Sequence, residues 1–392
     1  MQKGREPVTD TGLPEVSSVR AIPKPDPTVL LNPGPVVVHS DVRAAMSYPD
    51  VCHREQEAAD LMKAVREKIV AICGGAVTDH VGVVLAGSGT AALEAVLSSV
   101  VPADGKVLVL DNGNYGERLY RITLCHGIAH RRLEFGWTEP IDIDSVDELL
   151  AADQDVTHVA MVHHETSTGM LNPLRRIGEI VHRHNRSLVV DAISSLGSEE
   201  LDVSTDHVDW CVGSANKNLE GLPGVSFVCA SRTGLESLEG TTSRTFYLDL
   251  YSHYRSQEDD QAPLFTPAVQ VLYAFDRALD LALSEGVHRR RERYEARAAR
   301  IRNGITDLGL RFLLPLHHRA NSVTHVRVPE RTTYRYLHDS LKEKGFIVYA
   351  CQERLGEVFR IANMGLISDS DIDRFLAALD DVLRKARAST ST

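Results

Sequence analysis

Between about residues 80 and 230, short apolar runs recur at regular intervals with amphipathic stretches between them. The runs are Val83-Val84-Leu85, Val107-Leu108-Val109-Leu110, Val159-Ala160-Met161-Val162 and Leu188-Val189-Val190, then Val208-Asp209-Trp210-Cys211-Val212 and Ser226-Phe227-Val228-Cys229. Runs of this length and composition suit strands buried on both faces. The intervening stretches, such as Thr90 to Val100 and Leu174 to His184, carry helical periodicity. Strand-helix alternation predicts an α/β fold with a mainly parallel sheet covered by helices.

A chain of 392 residues is too long for one simple core. From about 268 to 308 the pattern turns helical, with dense Arg and Glu between 288 and 302 that suit a solvated helix face. A strand-like Ser322 to Val328, a helix from about 332 to 344, strand-like Phe346 to Ala350 and Val358 to Ile361, and a helix near Asp369 to Arg387 follow. That order predicts a small α+β domain. The expected division is a flexible leader at 1–28, rich in Pro, Gly, Ser and charge, a large domain at 29–285 and a small C-terminal domain at 286–392.

Composition narrows the function classes. Hydrophobic residues at 43% and charged residues at 25% exclude wholesale disorder. Lys plus Arg total 43 against 54 Asp plus Glu, a net charge of −11 that does not favour nucleic acid but leaves room for a local basic pocket holding a small anion. No apolar stretch approaches the ~20 residues of a membrane helix, and Met1 to Pro27 lacks an apolar signal core, so a cytoplasmic protein is expected. Six scattered cysteines without a CxxC pair suit reduced, mostly buried thiols rather than disulfides or a zinc site.

In an open parallel sheet, ligands bind beyond the carboxyl ends of the strands. After the first run comes Ala86-Gly87-Ser88-Gly89-Thr90, then a helical stretch. Small residues at a helix N-terminus leave backbone N–H groups for a phosphate, although such a turn is as often a plain connection. After the second run, Tyr115 sits in Asp111-Asn112-Gly113-Asn114-Tyr115-Gly116, where it suits either the cover of a planar ring or simple packing. His163-His164-Glu165 invites a metal, but adjacent strand residues face opposite sides, so no metal site is expected. Asp191 follows three buried aliphatics, a costly place for an unpaired carboxylate. Lys217 follows the next run, one strand-helix-strand step later. The two suit an ion pair. Together with a phosphate-type turn and an aromatic cover, they also meet the needs of pyridoxal phosphate: a Schiff-base lysine, an acid for the pyridine nitrogen, a phosphate cradle and a ring cover.

With these residues in place, the sequence resembles the class V aminotransferases of the fold-type I pyridoxal-phosphate enzymes from about Leu30 to Leu383. The carrying segments are Leu31-Asn32-Pro33-Gly34-Pro35, Cys52-His53-Arg54-Glu55, Ala86 to Ala92, Asn112 to Gly116, His164 to Gly169, Ser214-Ala215-Asn216-Lys217-Asn218, Phe246 to Tyr251, Phe265-Thr266-Pro267 and Phe359 to Asn363. The segments at 214–218 and 246–251 point to the aminoethylphosphonate branch. The resemblance implies a mainly parallel seven-stranded sheet with helices on both faces, plus a smaller α+β C-terminal domain.

It also implies roles. Lys217 would carry the cofactor and Asp191 would hold the pyridine nitrogen protonated. Tyr115 would stack on the ring, Thr166 would bond its hydroxyl, and Ser88, Gly89, Thr90 and Asn216 would hold the phosphate. Thr266 would reach that phosphate from the second subunit of a homodimer with shared active sites. Arg360 would bind the substrate anion, with Asn32 and Gly34 nearby. The implied partners are a small-molecule amine and a 2-oxo acid, and the implied reaction moves the amino group of 2-aminoethylphosphonate to pyruvate. Alternatives on the same fold are an alanine- or serine–glyoxylate aminotransferase, a phosphonoalanine transaminase, a lyase or a cysteine desulfurase using Cys351. A binding protein without catalysis is a further alternative, which the joint presence of Asp191 and Lys217 opposes.

Overall fold

The computed structural model describes residues 24–330 and 332–389. The expected leader therefore lies outside the described residues except for 24–28, which hold no regular structure, and most of the Ser/Thr tail lies outside as well.

The six apolar runs all become strands of one sheet. Its spatial order is His80–Ala86, Val225–Ser231, Trp210–Ser214, Ser187–Asp191, Val156–Val162, Lys106–Asp111 and Ala129–Glu134. Val225–Ser231 runs antiparallel to both neighbours, and the remaining pairs are parallel. The seventh strand, Ala129–Glu134, gave no apolar run. It is an edge strand of sequence Ala-His-Arg-Arg-Leu-Glu with no fully buried residue, and an edge needs no double-faced apolar pattern.

Period-2 alternation sorts each strand between two cores. Val84, Leu108, Leu110, Leu188 and Val190 face one layer, where helices Gln56–Ile72, Leu174–Arg183 and Val269–Glu285 bury Val65, Ile177 and Phe275. Val83, Leu85, Val107, Val109 and Val189 face the other, under helices Gly89–Val100 and Asn114–Cys125, which bury Leu93, Val96 and Leu119. Each such side chain contributes about 1.5–3 kcal/mol by leaving water.

A smaller core gathers the C-terminal elements. Strands Val323–Arg327, Val358–Ala362 and Tyr349–Ala350 form an antiparallel sheet. Helices Val287–Asp307, Tyr334–Glu343 and Asp369–Ser389 pack on it through Ile301, Leu337, Leu341, Phe375 and Leu379. Leu31 belongs to this core, and the short strand Val29–Leu30 pairs with Phe346–Ile347. The segment just after the leader thus packs with the C-terminal elements, although it precedes the large sheet in sequence. Its Asn32-Pro33-Gly34 turn leads from the small core to the carboxyl edge of the large sheet. Among the described residues no helix is long and apolar enough to cross a membrane.

Candidate active site

Five strands of the large sheet and the loops after them bring the polar residues to one edge. Ser88, Gly89, Thr90, Tyr115, Thr166, Asp191, Asn216 and Lys217 line a single cleft of about 170 Å³, with Arg118, His164, Ile193, Ser194 and Ser214. The register explains the central pair. Asp191 is the last residue of its strand and stands opposite Val212, so the neighbouring strand ends just beyond it and delivers Lys217 to the same edge.

The wall nearest Thr90 is built from the first strand-to-helix turn. Gly87 adopts φ +139°, which turns the chain sharply into helix Gly89–Val100. That helix has no side-chain cap on Ser88 and no acidic residue in its first turn, so its N–H groups and positive dipole end serve the cleft. A Cβ at Gly89 would collide with the Ile193 side chain, so only glycine lets the two segments meet.

Tyr115 stands in the first turn of helix Asn114–Cys125, and Glu165 fixes that turn. Its carboxylate accepts the N–H groups of Tyr115 at 3.0 Å, Gly116 at 3.1 Å and Ser167 at 3.1 Å. Ser167 Oγ also donates to Glu165, while accepting the Asn114 N–H at 3.1 Å. Burial pushes Glu165 up to about 7 against these donors.

Asp191 is buried, and its Oδ1 accepts the Ile193 N–H at 3.0 Å. Burial pushes it up to about 6, opposed by that hydrogen bond and by the charges of Arg118 and Lys217. Lys217 Nζ donates to the Pro33 carbonyl. Burial lowers its pKa to about 8, helped by the positive charge of Arg360 and opposed by Asp191. The pair therefore offers a poised acid and a poised amine, the signature of a chemical site rather than a surface ion pair.

The remaining expected residues divide. Gly34 lies against Lys217 without lining the cleft. Buried Asn32 shapes the turn: its Nδ2 donates to Pro35 O at 2.8 Å, and its carbonyl accepts the Gly34 N–H at 2.8 Å. Arg360 is 9% exposed, its Nε donates to Ala350 O at 3.0 Å, and its charge reaches Lys217 from the small core. Thr266 is exposed, on the loop before helix Val269–Glu285, and does not line this chain's cleft. Among the described residues no group of His, Cys, Asp and Glu could hold a metal.

Of the five wall residues that were given no cofactor role, His164 and Arg118 are the ionisable ones. His164 Nδ1 donates to Ser194 O at 2.8 Å, and burial pushes the imidazole down to about 3, so it stays neutral. Arg118 is one helical turn beyond Tyr115, a spacing that puts both on one helix face. That spacing was the available signal. Cys351, the residue a desulfurase would need, is pushed by burial up to about 12, which keeps its thiol protonated and unreactive. All six cysteines are free, but Cys52 and Cys125 are exposed, so only Cys73, Cys211 and Cys229 suit the expected burial fully.

A family model described as Aminotransferase class-V matches residues 39–361. The chain belongs to the class-V aminotransferases. This aminotransferase is 35% identical over 359 residues to the 2-aminoethylphosphonate–pyruvate transaminase of Klebsiella pneumoniae, covering 91% of this chain and 97% of that protein. It is 35% identical over 355 residues to the enzyme of the same name from Salmonella typhimurium, covering 90% and 96%. Among solved structures it resembles ureidoglycine–glyoxylate aminotransferase from Bacillus subtilis, with a TM-score of 0.89 at 27% identity, covering 94% of this chain and 95% of that one. Alanine–glyoxylate aminotransferase from Nostoc gives a TM-score of 0.87 at 26% identity, covering 93% and 97%. The expected fold-type I architecture holds, and the enzyme is a pyridoxal-phosphate-dependent transaminase.

Proposed function

We propose that this aminotransferase moves the amino group of 2-aminoethylphosphonate to pyruvate, giving phosphonoacetaldehyde and alanine. The observation that carries this reading is the 35% identity, over nine-tenths of the chain, to proteins bearing that name.

The cleft fits pyridoxal phosphate by the chemistry of its walls. An uncapped helix N-terminus beside Ser88, Gly89 and Thr90 suits a phosphate. A buried carboxylate with only one hydrogen bond, Asp191, suits a protonated ring nitrogen. A lysine with a lowered pKa, Lys217, suits covalent attachment. In this reading Asn216 joins the phosphate cradle, Tyr115 covers the ring and Thr166 bonds its hydroxyl. The bound cofactor supplies an electron sink for charge developing at the amine-bearing carbon.

The protein's own groups do the rest. Lys217 would hold the cofactor and, as a neutral amine, would move the proton at the substrate's amine-bearing carbon, as base and then acid. Its lowered pKa leaves a usable neutral fraction near pH 7. Asp191 stays anionic against the ring nitrogen and so sustains the pull on electrons. Arg360 holds the anionic end of each substrate with its planar fork, which matches a carboxylate or a phosphonate. The phosphonate of aminoethylphosphonate stands one carbon further from the amine-bearing carbon than alanine's carboxylate does, so the larger head group calls for donors besides Arg360; the Asn32 amide and the Gly34 N–H would have to leave their bonds within the turn to serve it.

The enzyme acts as a homodimer in this reading, with Thr266 of each subunit completing the phosphate site of the other. Its support is the exposure of Thr266 beside an aromatic patch. Phe246 is 86% exposed, and Tyr247 stacks on Phe265 at 4.7 Å.

The test is kcat/KM for 2-aminoethylphosphonate with pyruvate against phosphonoalanine, alanine and serine, each with its matched acceptor. Aminoethylphosphonate is expected to win clearly, and Arg360→Lys to weaken both half-reactions by about 2 kcal/mol. The likeness to the glyoxylate enzymes favours one second reading. A clear win for alanine or serine with glyoxylate would establish it and end the phosphonate reading.

A further inference from the structure

Arg118 is a cation in the cleft wall whose charge acts on the carboxylate of Asp191 without direct contact. Among the described residues no carboxylate pairs with it within 4.0 Å. Its Nη1 donates to Thr90 Oγ1 at 2.9 Å, and its guanidinium carbon stands 4.6 Å from the centre of the Tyr115 ring. Its field reaches both Asp191 and Lys217. Some other partly buried arginines are matched by acids, such as Arg66 and Arg232 by Glu258, Arg132 by Asp111, and Arg293 by Glu285 and Glu220, whereas Arg244, Arg297, Arg302, Arg319 and Arg360 donate to backbone carbonyls. Arg118 instead donates to a hydroxyl that itself lines the cleft, and so its charge is directed into that cleft.

The bond to Thr90 has a directional consequence. A hydroxyl has one proton and two lone pairs. Because Arg118 donates to Thr90 Oγ1, one lone pair is occupied and the hydroxyl proton turns away from the guanidinium. The hydroxyl proton of Thr90 is then available to an acceptor in the cleft. The positive guanidinium also makes that hydroxyl a stronger donor.

We propose that Arg118 is a positioning residue for the phosphate end of the ligand: it sets the Thr90 hydroxyl as a donor towards the phosphate. This rests on the cofactor reading above. It assigns to Arg118 a preference for the phosphorylated ligand, separate from the ring cover that Tyr115 provides.

Pyridoxal and pyridoxal phosphate share the ring and differ in the phosphate, so their affinities for the cofactor-free enzyme separate the two ends. In Arg118→Met the dissociation constant for pyridoxal phosphate is expected to rise about tenfold, and that for pyridoxal to stay within about threefold of wild type. Arg118→Lys keeps the charge and recovers part of the loss. In a double-mutant cycle with Thr90→Val, the two losses of phosphate-dependent affinity are expected to overlap rather than add. Equal losses for both ligands would assign Arg118 to ring stacking and overturn the proposal. Additive losses would overturn the route through Thr90. Unchanged pyridoxal phosphate affinity with a raised KM for aminoethylphosphonate would place the substrate's phosphonate at Arg118 and overturn it too. A wild-type enzyme that binds neither ligand would end the cofactor reading itself, an outcome distinct from all of these.

Discussion

Gly34 lies directly against Lys217: a Cβ at position 34 would stand 2.8 Å from Lys217 Cδ and 2.9 Å from its Nζ. The backbone at Gly34 has φ +92°, in the region that L side chains rarely adopt. Gly34→Ala therefore pushes on the lysine and strains the turn, at about 1–3 kcal/mol. The expected outcome is a folded protein with lower Tm and a weakened visible cofactor band. An unaltered spectrum would show that Lys217 is not confined by this turn.

Lys217 is expected to carry the cofactor, so Lys217→Ala should lose the visible absorption and all transamination. The wild-type enzyme adds a pH signature. Burial lowers Lys217 from its ordinary value to about 8, so its amine is protonated below that pH and neutral above it. Only the neutral amine attacks an aldehyde. The rate at which cofactor-free enzyme captures pyridoxal phosphate should rise about tenfold per pH unit below 8 and level off above it. A midpoint near the ordinary lysine value would contradict the burial argument.

Asp191 titrates with the opposite consequence. Burial raises it above the ordinary carboxylate value to about 6, so it is anionic above that pH and neutral below. Affinity for pyridoxal phosphate should weaken as pH falls through about 6. Asp191→Asn should remove that pH step, keep the Lys217 linkage and slow turnover by about 10²-fold, the scale of a lost electrostatic contact at a reacting centre. Near-normal turnover would remove Asp191 from its role.

Glu165 holds the helix start that bears Tyr115 by accepting three backbone N–H groups. Glu165→Ala leaves those buried donors without an acceptor, and a loss of about 2–3 kcal/mol is expected. Denaturant titration measures it. Unchanged stability would show that the turn is held by other contacts.

The proposed sharing of the site between subunits makes a stoichiometric prediction. Lys217→Ala and Thr266→Ala subunits, mixed and reassembled, form hybrid dimers in which one site holds both native residues. About a quarter of the native sites should return on random pairing. Recovery of nothing, or an active monomer by light scattering, would exclude Thr266 as a residue acting across subunits.

Much of this was legible in the chain. The apolar runs declared their strands because both faces of a central parallel strand are buried, and Ser88, Tyr115, Asp191 and Lys217 followed because residues after such strands gather at one edge, whereas Thr166 came from the family resemblance alone. Ala129–Glu134 was silent because an edge strand needs no such pattern. The antiparallel course of Val225–Ser231 was silent too, since direction leaves no mark on an apolar run.

The sequence by itself determined which residues follow the sheet strands and so reach its carboxyl edge, because strand periodicity and turn composition are local. Only the tertiary structure decided how those residues act on one another. The approach of Gly34 to Lys217, the burial that moves Asp191 and Lys217 towards neutrality, the reach of Arg360 from the small core and the bond from Arg118 to Thr90 all join segments distant in the chain. Distances and desolvation are properties of the packed chain, and no local pattern encodes them.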